Sequence, residues 1–214
     1  TLIVAARTSG SAGDEKGLTL FAVDANAQGL SKDSARLVDS AMAAHMQFDG
    51  VLVDADAVIG EVDEGDVVLR RLLNAGRSGA AAETLGVGSG AMDITVDYIK
   101  GRKQFGALIG SFQALQHRIA HLYSEMEIAR ATVLKAQQML DEGSSKAELM
   151  VSVAKAKAGK ATALSVKEGV QMHGGVGMTD EYDIGLYMKR DRALQEFMGD
   201  VNYHTNLVAE MHGY

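Results

Sequence analysis

The chain contains no cysteine, no proline and no tryptophan among its 214 residues. Without cysteine it can form no disulfide bond, no thiolate metal site and no iron–sulfur cluster, and it has no cysteine nucleophile. This absence fits a reducing compartment, and we expect a cytoplasmic protein. Average usage would give roughly ten prolines in a chain of this length. Their absence excludes a proline-rich linker.

The charge balance argues against a nucleic-acid-binding protein. Twenty-one basic and 28 acidic side chains give a formal net charge of −7, so no basic surplus is available to neutralise phosphates. No apolar run approaches the ~20 residues that a membrane-spanning helix needs. The sequence begins at Thr1 on an apolar run, without an initiator methionine. We therefore expect the chain to be part of a larger protein.

Short strands are predicted in the first third of the chain. Residues 2–6, 18–23 and 46–53 are rich in apolar and β-branched side chains and are separated by loops that contain glycine, serine and aspartate. Segments of this length and spacing are typical of a small sandwich or barrel.

Four long helices are predicted after the acidic stretch 61–66, over residues 67–100, 111–142, 146–173 and 184–211. Asp66 is the expected N-cap of the first, and Ser145 with Glu148 forms a capping box for the third. The second carries a heptad stripe of apolar residues: Leu115, Ile119, Leu122, Met126, Ala129, Val133, Ala136 and Leu140. The absence of proline agrees with long helices, because each proline would cost about 3 kcal/mol inside a helix.

The sequence thus predicts an α+β fold that is mainly α. A short antiparallel β segment, residues 1–65, precedes an antiparallel four-helix bundle, residues 66–214.

Two motifs lie at predicted helix ends. The third helix ends at a glycine motif formed by Gln171, Gly174, Gly175 and Gly177. This motif is either a simple C-cap and turn or backbone that a ligand can approach closely. Arg102 lies beside a glycine turn. Its guanidinium can grip a phosphate, or it can be a solvated cation at a helix C-terminus.

A pair of histidines and the histidine of the glycine motif are weaker candidates. His117 and His121 lie four residues apart on one predicted helix face, a spacing that can bind a metal. No carboxylate motif accompanies them, so we favour packing and predict no metal site. We assign no chemistry to His173.

Taken together in this order, the motifs resemble the acyl-CoA dehydrogenase family. The resemblance is carried by Tyr98-x3-Arg102-x2-Phe105-Gly106, the heptad helix, Gln171-x2-Gly174-Gly175-x-Gly177, Glu181-Tyr182 and Arg190-Asp191. Residues 48–60 are similar to the strand that leads into that family's C-terminal helical domain. The resemblance implies the second half of the middle β domain followed by the C-terminal four-helix domain, with no counterpart of the N-terminal domain.

This resemblance implies FAD as cofactor and an acyl-CoA thioester as substrate. Family members oxidise it to the trans-2-enoyl-CoA and pass the electrons to an electron-transfer flavoprotein. By the same resemblance Arg102 holds the FAD pyrophosphate, while Phe105 and Gln113 line the adenine-side cleft. Gln171, Gly174 and Gly175 reach the FAD of a neighbouring subunit, so each site is shared across a homo- or hetero-oligomer, a dimer or a tetramer.

The sequence departs from the family at the catalytic base. The usual glutamate position falls on Gly199 when it is counted from Arg190-Asp191, and on Met198 when it is counted from Glu181-Tyr182. The alternative position in the first bundle helix is Gly76.

Three readings remain for the missing base. Asp200 could remove the proton, Glu196 is a further candidate one turn away, or the chain is the base-lacking partner of a heteromeric dehydrogenase. For Asp200, a charge on the helix surface is the competing interpretation.

Overall fold

The computed structural model describes the whole chain, Thr1 to Tyr214. It divides into two compact units, residues 1–74 and residues 75–214.

The first unit is built from short antiparallel strands. They are β1 (Leu2–Arg7), β2 (Leu18–Val23), β3 (Leu30–Arg36), β4 (Met42–Phe48) and β5 (Val58–Ile59). Three of them form one sheet in the order β1-β2-β5, and β3 pairs with β4 in a separate hairpin. Leu20 and Val23 of β2 are buried and form the apolar core of this unit.

The first two predicted strands are confirmed, and the third is present with shifted bounds. It was expected over residues 46–53, whereas β4 ends at Phe48 and residues 51–54 have no regular structure. The strand β3 was not predicted at all. Its sequence, LSKDSAR, is almost entirely exposed, so it has no buried face and no apolar alternation to mark it.

The second unit is helical. Its helices are α1 (Gly65–Gly101), which begins in the first unit, α2 (Gln113–Asp141), α3 (Ala147–His173), α4 (Ile184–Glu196) and α5 (Val201–Met211). Two very short strands, β6 (Lys103–Gln104) and β7 (Ala107–Leu108), form a hairpin between α1 and α2. No helix has the length and apolarity that crossing a membrane requires.

The bundle core follows the predicted stripe. Leu122, Met126, Ala129, Val133 and Ala136 are all buried on α2 and pack against small residues of α3 and against Ala81 and Leu85 of α1.

Small residues allow α1 and α3 to approach closely. A Cβ added at Gly88 would lie 2.5 Å from Thr162 Oγ1. The Thr162 hydroxyl donates to the Thr84 carbonyl at 2.8 Å, so this contact is polar as well as close.

The fold class is confirmed, with three local corrections. The predicted fourth helix is interrupted at residues 197–200 and forms α4 and α5. Ser145 does not cap α3: Lys146 occupies the N-cap position without a side-chain cap, and its N–H donates to Ser144 Oγ at 3.3 Å. Asp66 lies inside the first turn of α1 and not before it.

Candidate functional site

The two motifs, about 70 residues apart in the sequence, line one cleft. The end of α1, the β6–β7 hairpin and the start of α2 form one wall, and the end of α3 with the glycine turn forms the other. The cleft has a volume of about 780 Å³. Its lining residues include Arg102, Gln104, Phe105, Phe112, Arg118, Gln171, Gly174 and Gly175.

Arg102 is held through its backbone, and its side chain is free. Its N–H donates to the Tyr98 carbonyl at 2.9 Å, and its carbonyl accepts from the Ile109 N–H at 2.9 Å. The side chain is exposed and makes no hydrogen bond or ion pair within the chain. A guanidinium fixed at its base and unpaired at its tip is available to an anionic ligand.

Phe105 projects an aromatic ring from a strained turn. Phe105 and Gly106 join β6 to β7 with φ of 53° and 78°, the conformation of a tight two-residue hairpin turn. A bulky residue rarely adopts positive φ, and such outliers cluster at functional sites. Phe105 is 91% exposed, with its ring centroid 6.4 Å from that of Phe112. The hairpin therefore holds an uncovered aromatic surface at the cleft.

The glycine motif leaves backbone open on the opposite wall. Helix α3 ends at His173 because Gly174 turns to φ 67°. A Cβ added at Gly174 or Gly175 would have no heavy atom within 4 Å, whereas one at Gly177 would lie 2.8 Å from the Val170 carbonyl oxygen. Gly177 is thus required by packing inside the chain, and Gly174 with Gly175 leaves room for something outside it.

His173 links the two motifs. Its ring stacks on Tyr98 at a centroid distance of 4.2 Å, and the Tyr98 hydroxyl donates to the His173 carbonyl at 3.2 Å. The buried His173 Nδ1 lies 2.7 Å from the Gly169 carbonyl oxygen, so it carries the proton of this hydrogen bond. The residue to which we assigned no chemistry therefore fixes the glycine turn against α1.

The cleft includes most, but not all, of the predicted cofactor residues. Arg102, Phe105, Gln171, Gly174 and Gly175 line it, whereas Gln113, the exposed first residue of α2, does not. Sequence reasoning missed Arg118. Residue 118 lies on the same helix face as residues 114 and 115, but no sequence motif marks it.

A second feature is the turn that separates α4 from α5. Within residues 197–200, Met198 has φ 63° and Gly199 has φ 100°. A Cβ added at Gly76 of α1 would lie 2.8 Å from Met198 Cε. Gly76 and Met198, two of the positions that the resemblance offered for the family's base, therefore meet here, and neither carries a carboxylate.

Position 199 has no room for a side chain. A Cβ there would lie 2.5 Å from Tyr203 Cδ1 and 3.0 Å from His204 Nε2. A glutamate at 199 would thus require the turn to change.

Three side chains hold this turn. The Lys155 ammonium, buried on α3, donates to the carbonyls of Leu194 at 2.9 Å and Gly199 at 3.1 Å. His204 Nε2 donates to the Met198 carbonyl at 3.0 Å. Asp200 accepts from the Tyr203 N–H at 2.7 Å and so caps α5.

Burial shifts the pKa of three groups around the turn. It lowers the pKa of Lys155, and nearby carboxylates, led by Asp191, partly oppose this shift. It raises the pKa of Asp191, against a hydrogen bond from Gln195. It lowers the pKa of His204 to about 4, so this imidazole is neutral at pH 7, and its Nδ1 is buried without a hydrogen-bond partner.

The remaining candidates are placed as follows. Glu196 is exposed and forms an ion pair with Arg192 at 2.7 Å, at i,i+4. Neither His117 nor His121 belongs to a group of three His, Cys, Asp or Glu side chains that could hold a metal ion, since the chain contains no such group.

Comparison with known proteins gives the family. Residues 63–212 match the family model for the acyl-CoA dehydrogenase C-terminal domain. The short/branched chain specific acyl-CoA dehydrogenase of Bos taurus is 34% identical over 211 residues, which cover 97% of this chain and 48% of that protein. The caffeyl-CoA reductase-Etf complex subunit CarC of Acetobacterium woodii is 31% identical over 212 residues, 98% of this chain and 55% of that protein.

A solved structure agrees over nearly the whole chain. Butyryl-CoA dehydrogenase from Megasphaera elsdenii superposes with a TM-score of 0.93 at 27% identity, covering 99% of this chain and 56% of the other. This chain spans about half the length of these relatives. With a family match over residues 63–212 and relatives that cover almost all of its length, the chain belongs to the acyl-CoA dehydrogenase family.

Proposed function

We propose that this chain forms part of an FAD-dependent acyl-CoA dehydrogenase that converts an acyl-CoA thioester to the 2-enoyl-CoA. One observation carries the proposal. The unpaired guanidinium of Arg102 and the open backbone at Gly174 and Gly175 line the same cleft. A cation opposite backbone that lacks side chains can bind the phosphates of a dinucleotide.

The lining residues fit FAD. Arg102 would bind the diphosphate, Phe105 offers an uncovered ring for the adenine, and Gln171 offers an amide beside the glycine turn. Gln113 stays a prediction for the adenine side. No aspartate or glutamate lines the cleft, so a bound diphosphate would meet no like charge there. When bound, FAD supplies the acceptor for the hydride that leaves the β-carbon of the substrate.

Oligomer formation is part of the proposal. Gln171, Gly174 and Gly175 would reach the FAD of a neighbouring subunit, so each cofactor is shared within a dimer or tetramer. The electrons would pass to an electron-transfer flavoprotein, as the name of the Acetobacterium woodii relative, an Etf complex subunit, suggests.

The visible spectrum of the purified protein tests this function. We expect flavin absorbance, either as isolated or after addition of FAD and gel filtration, and bleaching on addition of an acyl-CoA. A protein that retains no flavin under either condition, with or without a partner chain, contradicts the proposal.

The empty base positions favour a second candidate. Gly76 and Met198 lie in contact, and neither has a carboxylate. The Asp200 carboxylate accepts a hydrogen bond from the Tyr203 N–H and caps α5. In this reading the chain is the base-lacking partner of a heteromeric dehydrogenase and contributes FAD contacts without turnover of its own. A colourless protein that retains flavin only with a second gene product supports this candidate over the first.

A further inference from the structure

The cleft contains a second arginine. Arg118 lies in the second turn of α2 and lines the cleft together with Ala114 and Leu115 of the same helix face. Its side chain is 40% exposed. It therefore reaches the cleft from a different element than Arg102, which follows α1.

An ion pair with Glu168 holds Arg118. Its Nη2 lies 2.6 Å from Glu168 Oε2 on α3, and this oxygen is buried. The other guanidinium nitrogens of Arg118, Nε and Nη1, have no partner within the chain. Glu168 lies three residues before Gln171, so the ion pair fixes Arg118 close to the glycine wall.

Two guanidiniums facing one cleft call for an anion. No carboxylate lines the cleft itself, and the ion pair with Glu168 engages only Nη2 of Arg118. Guanidinium forks match phosphate oxygens in bidentate geometry, and each such charge-assisted contact is stronger than a neutral hydrogen bond.

We propose that Arg118, positioned by Glu168, is a second binding residue for the diphosphate in the adenosine half of FAD. This inference rests on the proposed function and names a contact beyond Arg102. Coenzyme A carries the same adenosine diphosphate chemistry. We assign the contact to FAD because Arg118 shares its cleft with Arg102 and the open glycines, so the experiment separates the two sources.

The experiment is isothermal titration of the folded chain with four probes: ADP, adenosine, FAD and coenzyme A. Arg118→Gln is compared with Arg130→Gln, which removes another arginine of α2 that is ion-paired to Glu127 at 3.0 Å and lies outside the cleft. Arg118→Lys keeps the charge and removes the fork. Thermal melting confirms that each variant is folded.

We expect Arg118→Gln to raise the Kd for ADP and FAD about tenfold or more, the size of one charge-assisted hydrogen bond. The Kd for adenosine and for coenzyme A should change less than about twofold by the same scale. Arg118→Lys should lie between wild type and Arg118→Gln, and Arg130→Gln should match wild type.

Each other result overturns the inference in a distinguishable way. Unchanged ADP binding in Arg118→Gln, with weaker binding in Arg102→Gln, removes Arg118 and leaves the proposed function standing. Equal losses for ADP and adenosine exclude a phosphate contact. Weaker binding of coenzyme A with unchanged binding of FAD would show that Arg118 contacts coenzyme A and not FAD. No binding of ADP or FAD by wild type, with or without a partner chain, overturns both proposals.

Discussion

Met198 lies over Gly76, so that a Cβ at Gly76 would stand 2.8 Å from Met198 Cε. Counted from Glu181-Tyr182, this contact brings together the two positions that we expected for the family's catalytic glutamate. It also distinguishes Met198 from Gly199, the two positions between which the sequence did not decide. Met198 presents its side chain to α1, whereas Gly199 cannot carry one in this turn.

The first prediction concerns Gly199. Gly199→Ala combines the cost of positive φ with a clash against Tyr203, 2.5 Å from the added Cβ. Gly143→Ala is the matched control, since Gly143 has φ 64° but nothing within 4 Å. We expect Gly143→Ala to lose about 1 kcal/mol of unfolding free energy and Gly199→Ala to lose at least about 1 kcal/mol more. Urea unfolding measures both, and equal losses would show that position 199 has room for a side chain.

The second prediction separates two roles of Asp200. Because Asn caps helices about as well as Asp, Asp200→Asn should keep its stability, while Asp200→Ala should lose about 1 kcal/mol. If Asp200 is the base, Asp200→Asn abolishes bleaching of the flavin by acyl-CoA even though α5 stays capped. Bleaching that persists in Asp200→Asn and in Glu196→Gln excludes both carboxylates as the base.

The third prediction concerns Lys155. Lys155→Met keeps much of the side-chain volume but leaves the carbonyls of Leu194 and Gly199 without their buried donor. We expect a loss of about 2–4 kcal/mol in unfolding free energy. Lys157→Met is the control, because Lys157 forms a partly exposed ion pair with Glu125 at 2.6 Å. This variant should lose no more than about 1 kcal/mol. A loss in Lys155→Met as small as in the control contradicts the role of Lys155 in holding the turn.

The fourth prediction is a pH dependence from His204. Burial lowers its pKa from 6.5 to about 4, so between these values the unfolded chain binds a proton that the folded chain does not. The stability from this group is fully present above about pH 6.5 and is lost as the pH falls through 4.

His204→Gln isolates this contribution. A glutamine can still donate to the Met198 carbonyl but does not titrate. Between pH 7 and pH 4, wild type should lose about 3 kcal/mol more than His204→Gln. Parallel pH profiles for the two proteins would show that His204 does not titrate in this range.

The sequence predicted the bundle well because its signal is periodic. The stripe from Leu115 to Leu140 repeats at helical spacing, and the residues at its centre are buried. The break at residues 197–200 was missed because its cause is not local periodicity. It depends on Lys155, more than 40 residues earlier, and on His204, and both act through backbone carbonyls.

The cleft was predicted only in part for a similar reason. Arg102, Phe105 and the glycines stand in recognisable motifs, so their residue types point to a ligand. Arg118 and His173 have no such signature: Arg118 gains its position from Glu168, and His173 from stacking on Tyr98. Contacts between distant helices place them, and the spacing of one helix cannot reveal such contacts.

Binding of FAD to wild type and to Arg102→Gln, measured by quenching of flavin fluorescence, tests the central claim most directly. Lys103→Gln is the control, because it removes the same charge one residue away and lies outside the cleft. We predict that Arg102→Gln binds FAD at least about tenfold more weakly, while Lys103→Gln and all melting temperatures match wild type. Equal FAD affinity in wild type and Arg102→Gln would contradict the assignment of this cleft to the cofactor.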